Sequence, residues 1–296
     1  MSEIYTQDWK AYLLLLPTLV VSVAFLYYPA FKTFRLALYQ TVAAGANRMY
    51  VGLDNFVWLL ESPGYHYSFF ISLVFAAVVV VGSMGIALYL SYLIYRVAVG
   101  TSGYLVSGIL SYSFSFTIVA TIMVFLLEPS VGILTNLIEQ ALGLEINWVT
   151  NSTQAILVVS GTSILKMVGY NVIFLIGALS SIPETINETA KLDGIGHFKL
   201  LSRVYVPLIS PTLAFLLIMN TVYAFFLPFP VIDVMTSGGP GNSTSILIYH
   251  LYQTAFNQSQ MGLAATESLV LFVLVGGLIV VQLVWSDRAA HFGGGT

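Results

Sequence analysis

"AYLLLLPTLVVSVAFLYYPAF", residues 11 to 31, contains no charged residue and no histidine. A helix of 21 residues at about 1.5 Å per residue is about 31 Å long, the hydrocarbon thickness of a bilayer. The run therefore predicts a membrane-spanning helix. A secretion signal is the rival reading for such a position. Against it, Glu3 and Asp8 outnumber Lys10, the run is longer than a signal core, and no small-residue cleavage site follows. The run is read as a retained helix. The rest of the chain agrees: 296 residues, 58% hydrophobic and 8% charged, with a mean hydropathy of +0.89, carry more apolar surface than one water-soluble core of this length could hide.

Five further apolar stretches follow, at residues 68–95, 104–127, 153–179, 208–227 and 263–285. The expected fold is all-α, a polytopic membrane protein with six transmembrane helices in a single domain covering residues 1–296. Six crossings put both termini on one side, and basic residues set which side. With cytoplasmic termini, the inner segments hold Lys10, Arg96, Lys191, Lys199, Arg203 and Arg288, while the outer ones hold Lys32, Arg35 and Arg48, all in the first loop. Segments 128–152 and 228–262 carry only the acids Glu128, Glu139, Glu145 and Asp233, and they are placed outside. Within the first of them, Ile133, Leu137, Ile138 and Leu142 fall at helical spacing, which predicts a short amphipathic surface helix.

Composition also excludes several chemistries. There is no cysteine, so disulfides, thiolate metal sites and cysteine nucleophiles are absent. The net charge of −3 comes with no basic run that would suggest nucleic acid. His66, His197, His250 and His291 lie outside the predicted spans or at their edges. No triad, metal cluster or phosphate-binding loop appears, so neither a catalytic nor a metal site is expected.

The segment between the fourth and fifth spans, residues 181–207, gathers charges that the rest of the chain lacks. Ser181 and Glu184 have capping-box spacing around Pro183, which predicts a helix start. That helix carries Ile182, Ile186 and Ala190 and meets Asp193-Gly194, where glycine can end it. A second short helix presents Phe198, Leu201 and Tyr205 before Pro207 stops it. Such a hairpin has apolar residues on two faces. They call for a partner protein or for the chain's own transmembrane helices.

The spacing Glu188-Thr189-Ala190, three residues, Gly194, nine residues, Val204-Tyr205-Val206-Pro207 resembles the EAA loop of ABC importer permeases. Thr189, Val204 and Val206 are small or conservative departures from that pattern. "VGLDNFVWLL" after the first span and "FPVIDVMTSGGP" after the fifth are similar to the carbohydrate-uptake branch of this family, and most like the first permease subunit of glycerol-3-phosphate importers. The resemblance covers nearly the whole chain and implies a cytoplasmic helix-turn-helix loop that docks on a separate ATPase. Glu188, Ala190, Asp193, Gly194 and Pro207 would then be coupling residues, with Gly194 making the turn and the acids meeting the ATPase. It further implies a second homologous permease, two ATPase subunits that hold the ATP and Mg, an extracytoplasmic solute-binding protein, and location in a prokaryotic plasma membrane. The chain itself would hold no cofactor and hydrolyse nothing.

Candidates for the transport path come from the spans. Lys166 lies midway along the fourth span, where an isolated lysine costs about 3 kcal/mol; it is expected either to attract a phosphate or to pair with an acid or a carbonyl from the partner permease. Tyr170, Asn171, Asn220, Tyr223 and Phe226 offer rings and amides that suit a polyol or sugar, and also suit ordinary helix packing. "LPFPVID" predicts a helix break at Pro228 and Pro230 followed by an exposed loop. Glycerol-3-phosphate or a related polyol phosphate is the expected cargo, a neutral sugar or oligosaccharide the alternative. An ion-coupled secondary transporter is disfavoured, because no repeat is evident and the deepest acid is Glu267, near the start of the sixth span.

Overall fold

In a computed structural model, residues 8–42, 47–97, 101–192 and 196–290 are described. Among them, five helices are long and apolar enough to cross a membrane: Tyr12–Ala37, Pro63–Arg96, Ser152–Ser180, Ser210–Met235 and Met261–Ser286. A sixth crossing results when the helix pair Ser102–Ser113 and Phe116–Leu126, bent by 99°, is counted as one. These are the first, second, fourth, fifth, sixth and third spans respectively. The chain divides into two compact units, one of Met1–Pro63 with Leu251–Phe272, the other of Gly64–His250 with Val273–Thr296.

In the smaller unit the first span runs past the uncharged stretch and through Lys32 and Arg35 to Ala37. It absorbs Pro29 with one π-turn, Val23–Tyr27, in which the Tyr28 N–H donates to the Val23 carbonyl five residues back. The wider turn leaves room for a ring that lacks a donor. A two-stranded antiparallel hairpin follows, β1 (Tyr39–Val42) and β2 (Asn47–Tyr50), with Tyr39 opposite Tyr50 and Thr41 opposite Arg48. The Tyr39 and Tyr50 rings meet edge to face at 5.4 Å. The helix Asp54–Glu61 then buries Asn55, whose Nδ2 donates to the carbonyls of Ala37 (2.8 Å) and Tyr39 (3.1 Å). Those carbonyls are orphaned where the first span ends, and the amide satisfies them. Thr266 of the sixth span adds a donor to Ala37 at 3.3 Å. Gly262 passes so close that a Cβ there would lie 1.8 Å from the Tyr39 carbonyl oxygen; only glycine permits this approach. Glu267 is buried and accepts from Thr254 Oγ1 at 2.9 Å.

The larger unit is built around the fourth span. The first half of the third span, Thr101–Ser113, packs along it through Gly169, where an added Cβ would come within 2.8 Å of Tyr112 Cβ and 3.2 Å of the Ile109 backbone. Small residues let membrane helices approach in this way. The second half, Phe116–Leu126, packs mainly on the short helix Phe229–Met235 and also touches the fourth span. The continuous helix expected over residues 104–127 is thus broken at Phe114-Ser115. Ser115 adopts an extended conformation and its side chain accepts from the Ile118 N–H, which starts the new helix.

The amphipathic helix expected in the following loop is present as Ile133–Leu142, ended by Gly143 in the left-handed region. Its Ile133, Leu137 and Leu142 are exposed. The exposed loop expected after Pro228 and Pro230 is a correction. The helix resumes over Phe229–Met235, and Val231, Ile232, Met235 and Ser243 to Leu247 are buried. Prolines at the first positions of a helix need no donor, so they start one here instead of ending it. In the turn that follows, Thr244 Oγ1 donates to Gly239 O at 3.0 Å, and the Leu247 N–H donates to Ser72 Oγ of the second span at 2.7 Å. Gly238, at φ 83°, sits where a Cβ would strike the Tyr249 ring at 2.7 Å.

Candidate functional site

Residues 181–207 fold as two helical pieces, Glu184–Leu192 and a run over 197–208. Asp193 and Gly194, expected at the turn, lie outside the described residues. The first helix starts at Glu184, not at Ser181: the fourth span runs on to Ser180, and Ser181 Oγ donates back to Ala178 O at 2.7 Å. The predicted helix start thus moves from Ser181 to Glu184. Pro207 does not stop the second piece either. A π-turn, Leu201–Tyr205, precedes it, with the Val206 N–H donating to Leu201 O. This is the device seen before Pro29, and it carries helix almost unbroken into the fifth span.

The apolar face of this hairpin is covered by the chain's own helices. Ile182, Ala190, Leu201 and Tyr205 are buried in one cluster with Tyr92 and Ile94 of the second span and Leu175 and Leu179 of the fourth. The residues left outward include Glu184, Glu188, Thr189, Lys199, Arg203 and Phe198, the last 82% exposed. The end of the second span grips the hairpin through groups that the sequence reading missed. Tyr92 Oη donates to the His197 carbonyl at 3.2 Å, and Arg96 donates to Tyr92 Oη at 3.2 Å and contacts His197 Nδ1. The rings of Tyr92 and Tyr95 stand 5.8 and 6.0 Å from that of Tyr205. Burial pushes the Tyr205 hydroxyl above the ordinary tyrosine range, and the neighbouring Tyr95 and Tyr92 add to this. The signal lay in "YLIYR", which places Tyr92, Tyr95 and Arg96 on one helical face at the end of a span.

Of the path candidates, Lys166 has its partners in this chain. It is 4% exposed, and its Nζ donates to the carbonyls of Tyr112 (2.6 Å) and Phe114. It also lies over the rings of Tyr112 and Phe116 at 4.8 and 5.2 Å. These carbonyls are the ones freed where the third span breaks, so the buried cation caps the first half-helix.

Asn171 and Asn220 are fully buried and face one another. Asn220 Nδ2 donates to Asn171 Oδ1 (2.6 Å) and to Leu216 O (2.7 Å), while its Oδ1 accepts from Asn171 Nδ2 (3.0 Å) and Ser83 Oγ (3.3 Å). Two donors and two acceptor sites are all that an amide offers. Asn220 is saturated, and it joins the second, fourth and fifth spans. Beside it runs a chain of rings: Tyr170 lies 5.8 Å from Tyr112, 4.9 Å from Phe174 and 5.4 Å from Tyr223, and Phe174 lies 5.4 Å from Phe215. Tyr170 is buried, Tyr223 half-buried, and Phe226 exposed. Among the described residues no group of His, Asp and Glu could hold a metal.

Comparison with known proteins places this architecture. Residues 11–285 match the family described as "Binding-protein-dependent transport system inner membrane component". The chain is 35% identical over 288 residues to the sn-glycerol-3-phosphate transport system permease protein UgpA of Yersinia pseudotuberculosis, covering 97% of this chain and 98% of that one. It is 36% identical over 289 residues to UgpA of Shigella flexneri, covering 98% of both chains. Its fold is similar to that of a chain in the crystal structure of a bacterial ABC transporter involved in import of the acidic polysaccharide alginate, with a TM-score of 0.80, 21% identity, and coverage of 95% and 96%. A second crystal structure, of the alginate transporter in complex with an alginate pentasaccharide-bound periplasmic protein, gives a TM-score of 0.78 at 22% identity over 96% and 93%. The chain belongs to the inner-membrane components of binding-protein-dependent transport systems, the permeases of ABC importers.

Proposed function

We propose that residues 1–296 form one permease subunit of an importer for glycerol-3-phosphate or a related polyol phosphate. The observation that supports this cargo is 35% identity across 97% of the chain to a glycerol-3-phosphate permease. In this reading the chain is paired with a second, homologous permease, served by an extracytoplasmic binding protein and driven by two cytoplasmic ATPase subunits that hold ATP and Mg. Both termini lie in the cytoplasm. Residues 181–207 dock on the ATPase through outward residues that include Glu188, Thr189 and Phe198, with Asp193 and Gly194 at the turn. Tyr92, Arg96 and Tyr205 transmit its displacement to the second span, while the π-turn before Pro207 carries it into the fifth. Tyr223 and Phe226, which keep exposed area, are the path residues we favour; Lys166, Asn171 and Asn220 hold the helices that position them.

The aromatic chain from Tyr112 to Phe215 favours a second reading, a neutral sugar or oligosaccharide, because rings stack on the C–H faces of sugars. Uptake into proteoliposomes containing the assembled importer separates the two. Labelled glycerol-3-phosphate should enter only with ATP and binding protein present, and it should be indifferent to an ionophore. Entry of a neutral oligosaccharide alone would select the second reading. Entry that follows an ion gradient without ATP would contradict both. Glu188→Lys should abolish uptake with the protein still in the membrane; uptake at the unsubstituted rate would remove the hairpin from the coupling role.

A further inference from the structure

Three of the ten basic residues lie in the first outer segment, against the expected bias, and the structure brings them together. Lys32 and Arg35, one turn apart at the end of the first span, and Arg48 on β2 line one open cleft of about 320 Å³ with Thr33, Leu36 and Tyr39. No acidic residue is among the described lining. All three cations are exposed. Two are oriented by rings: Lys32 Nζ lies 4.7 Å from the centre of Tyr28, and the Arg35 guanidinium lies 5.9 Å from that of Tyr39. Hairpin register sets the third, since Arg48 is opposite Thr41 and shares a face with Tyr50, whose ring meets Tyr39. Three like charges line one cleft with no acid among its described lining, so the arrangement is suited to an anion held among them.

We propose that this cleft binds a phosphate ester, supplied by the headgroup of an anionic phospholipid. Two guanidinium forks and an ammonium match phosphate oxygens, and Leu36 offers an apolar wall to the glycerol backbone. Depth argues for lipid as the source. Lys32 and Arg35 directly follow a 21-residue uncharged run in which residues 12–31 are exposed apart from the half-buried Ser22, with Tyr27 and Tyr28 exposed near its end. Exposed tyrosines followed by cations mark the headgroup layer of a membrane helix. With cytoplasmic termini this is the outer leaflet. The proposal does not depend on which solute is carried.

The test is lipid retention by the assembled importer in nanodiscs of equal parts phosphatidylglycerol and phosphatidylcholine, read by mass spectrometry of co-purified lipid. Phosphatidylglycerol should be enriched, and each of Lys32→Gln, Arg35→Gln and Arg48→Gln should lower that enrichment by about fivefold, while Arg48→Lys retains most of it. Arg48 lies outside the spans, so its variant remains informative if the helix variants misassemble. A second arm adds glycerol-3-phosphate or inorganic phosphate without anionic lipid. Binding of these that is lost in Arg48→Gln would keep the phosphate site and change its source. Enrichment unchanged by all three substitutions would overturn the proposal, as would variants that lose only attachment of the binding protein.

Discussion

The first and fourth spans are both apolar enough to cross a membrane, yet none of the most apolar window of the first is buried within the chain, against 61% of that of the fourth. The fourth is the less hydropathic of the two. It carries Ser160, Thr162, Ser163, Lys166 and Asn171, all buried. Between membrane helices hydrophobicity drives nothing, because lipid tails are as apolar as leucine; close packing and polar contacts decide which helix lies inside. The first span is instead held at its end, where Ala37 is bound by Asn55 and Thr266.

Substitutions in the two regions can break or sharpen this contrast. The largest effect is expected at the anchor of the first span. Gly262→Ala places a carbon 1.8 Å from the Tyr39 carbonyl oxygen and should cost about 3 kcal/mol or more in thermal unfolding of the purified protein. A variant as stable as the parent would mean that the hairpin is not held there. Next comes Lys166→Met, which leaves two buried carbonyls without their donor and should cost about 3 kcal/mol, with Lys166→Arg recovering part of it. If Lys166→Met were neutral in stability but lost phosphate uptake, the lysine would belong to the path.

Asn171→Leu alone should cost about 2 kcal/mol, by stranding the Asn220 amide. The double substitution Asn171→Leu with Asn220→Leu should recover about half of that, so a thermodynamic cycle reads the coupling directly. Strict additivity would dissolve the pair. The smallest effect is expected on the first span: Leu19→Ala, at a position 57% exposed, should change the stability of the isolated chain by less than about 0.5 kcal/mol. A loss of several times that would place a covering surface on this helix.

How far the sequence could be read follows from the same contrast. Local signals succeeded: apolar runs gave the spans, and periodicity gave the helix over Ile133–Leu142. Failures occurred where a distant residue decides. Nothing in "SYSFS" announces a 99° bend, since it holds neither proline nor glycine; the break is stabilised by Lys166, 52 residues from Phe114. Asn171 and Asn220 read as amides for a solute or for helix packing alike, and their mutual pairing, which spans 49 residues, had no local signal. Proline misled twice. At Pro207 a π-turn, and at Pro228 and Pro230 the start of a new helix, preserve helical structure that the residue type alone would end.

The central claim, a permease coupled to ATP and serving a phosphate-bearing cargo, is tested most directly by ATP hydrolysis of the assembled importer in nanodiscs with its binding protein. The account predicts stimulation by glycerol-3-phosphate or a glycerophosphodiester, little by a neutral oligosaccharide, and none in the Glu188→Lys variant. Hydrolysis that ignores every solute, or that remains stimulated in Glu188→Lys, would contradict it.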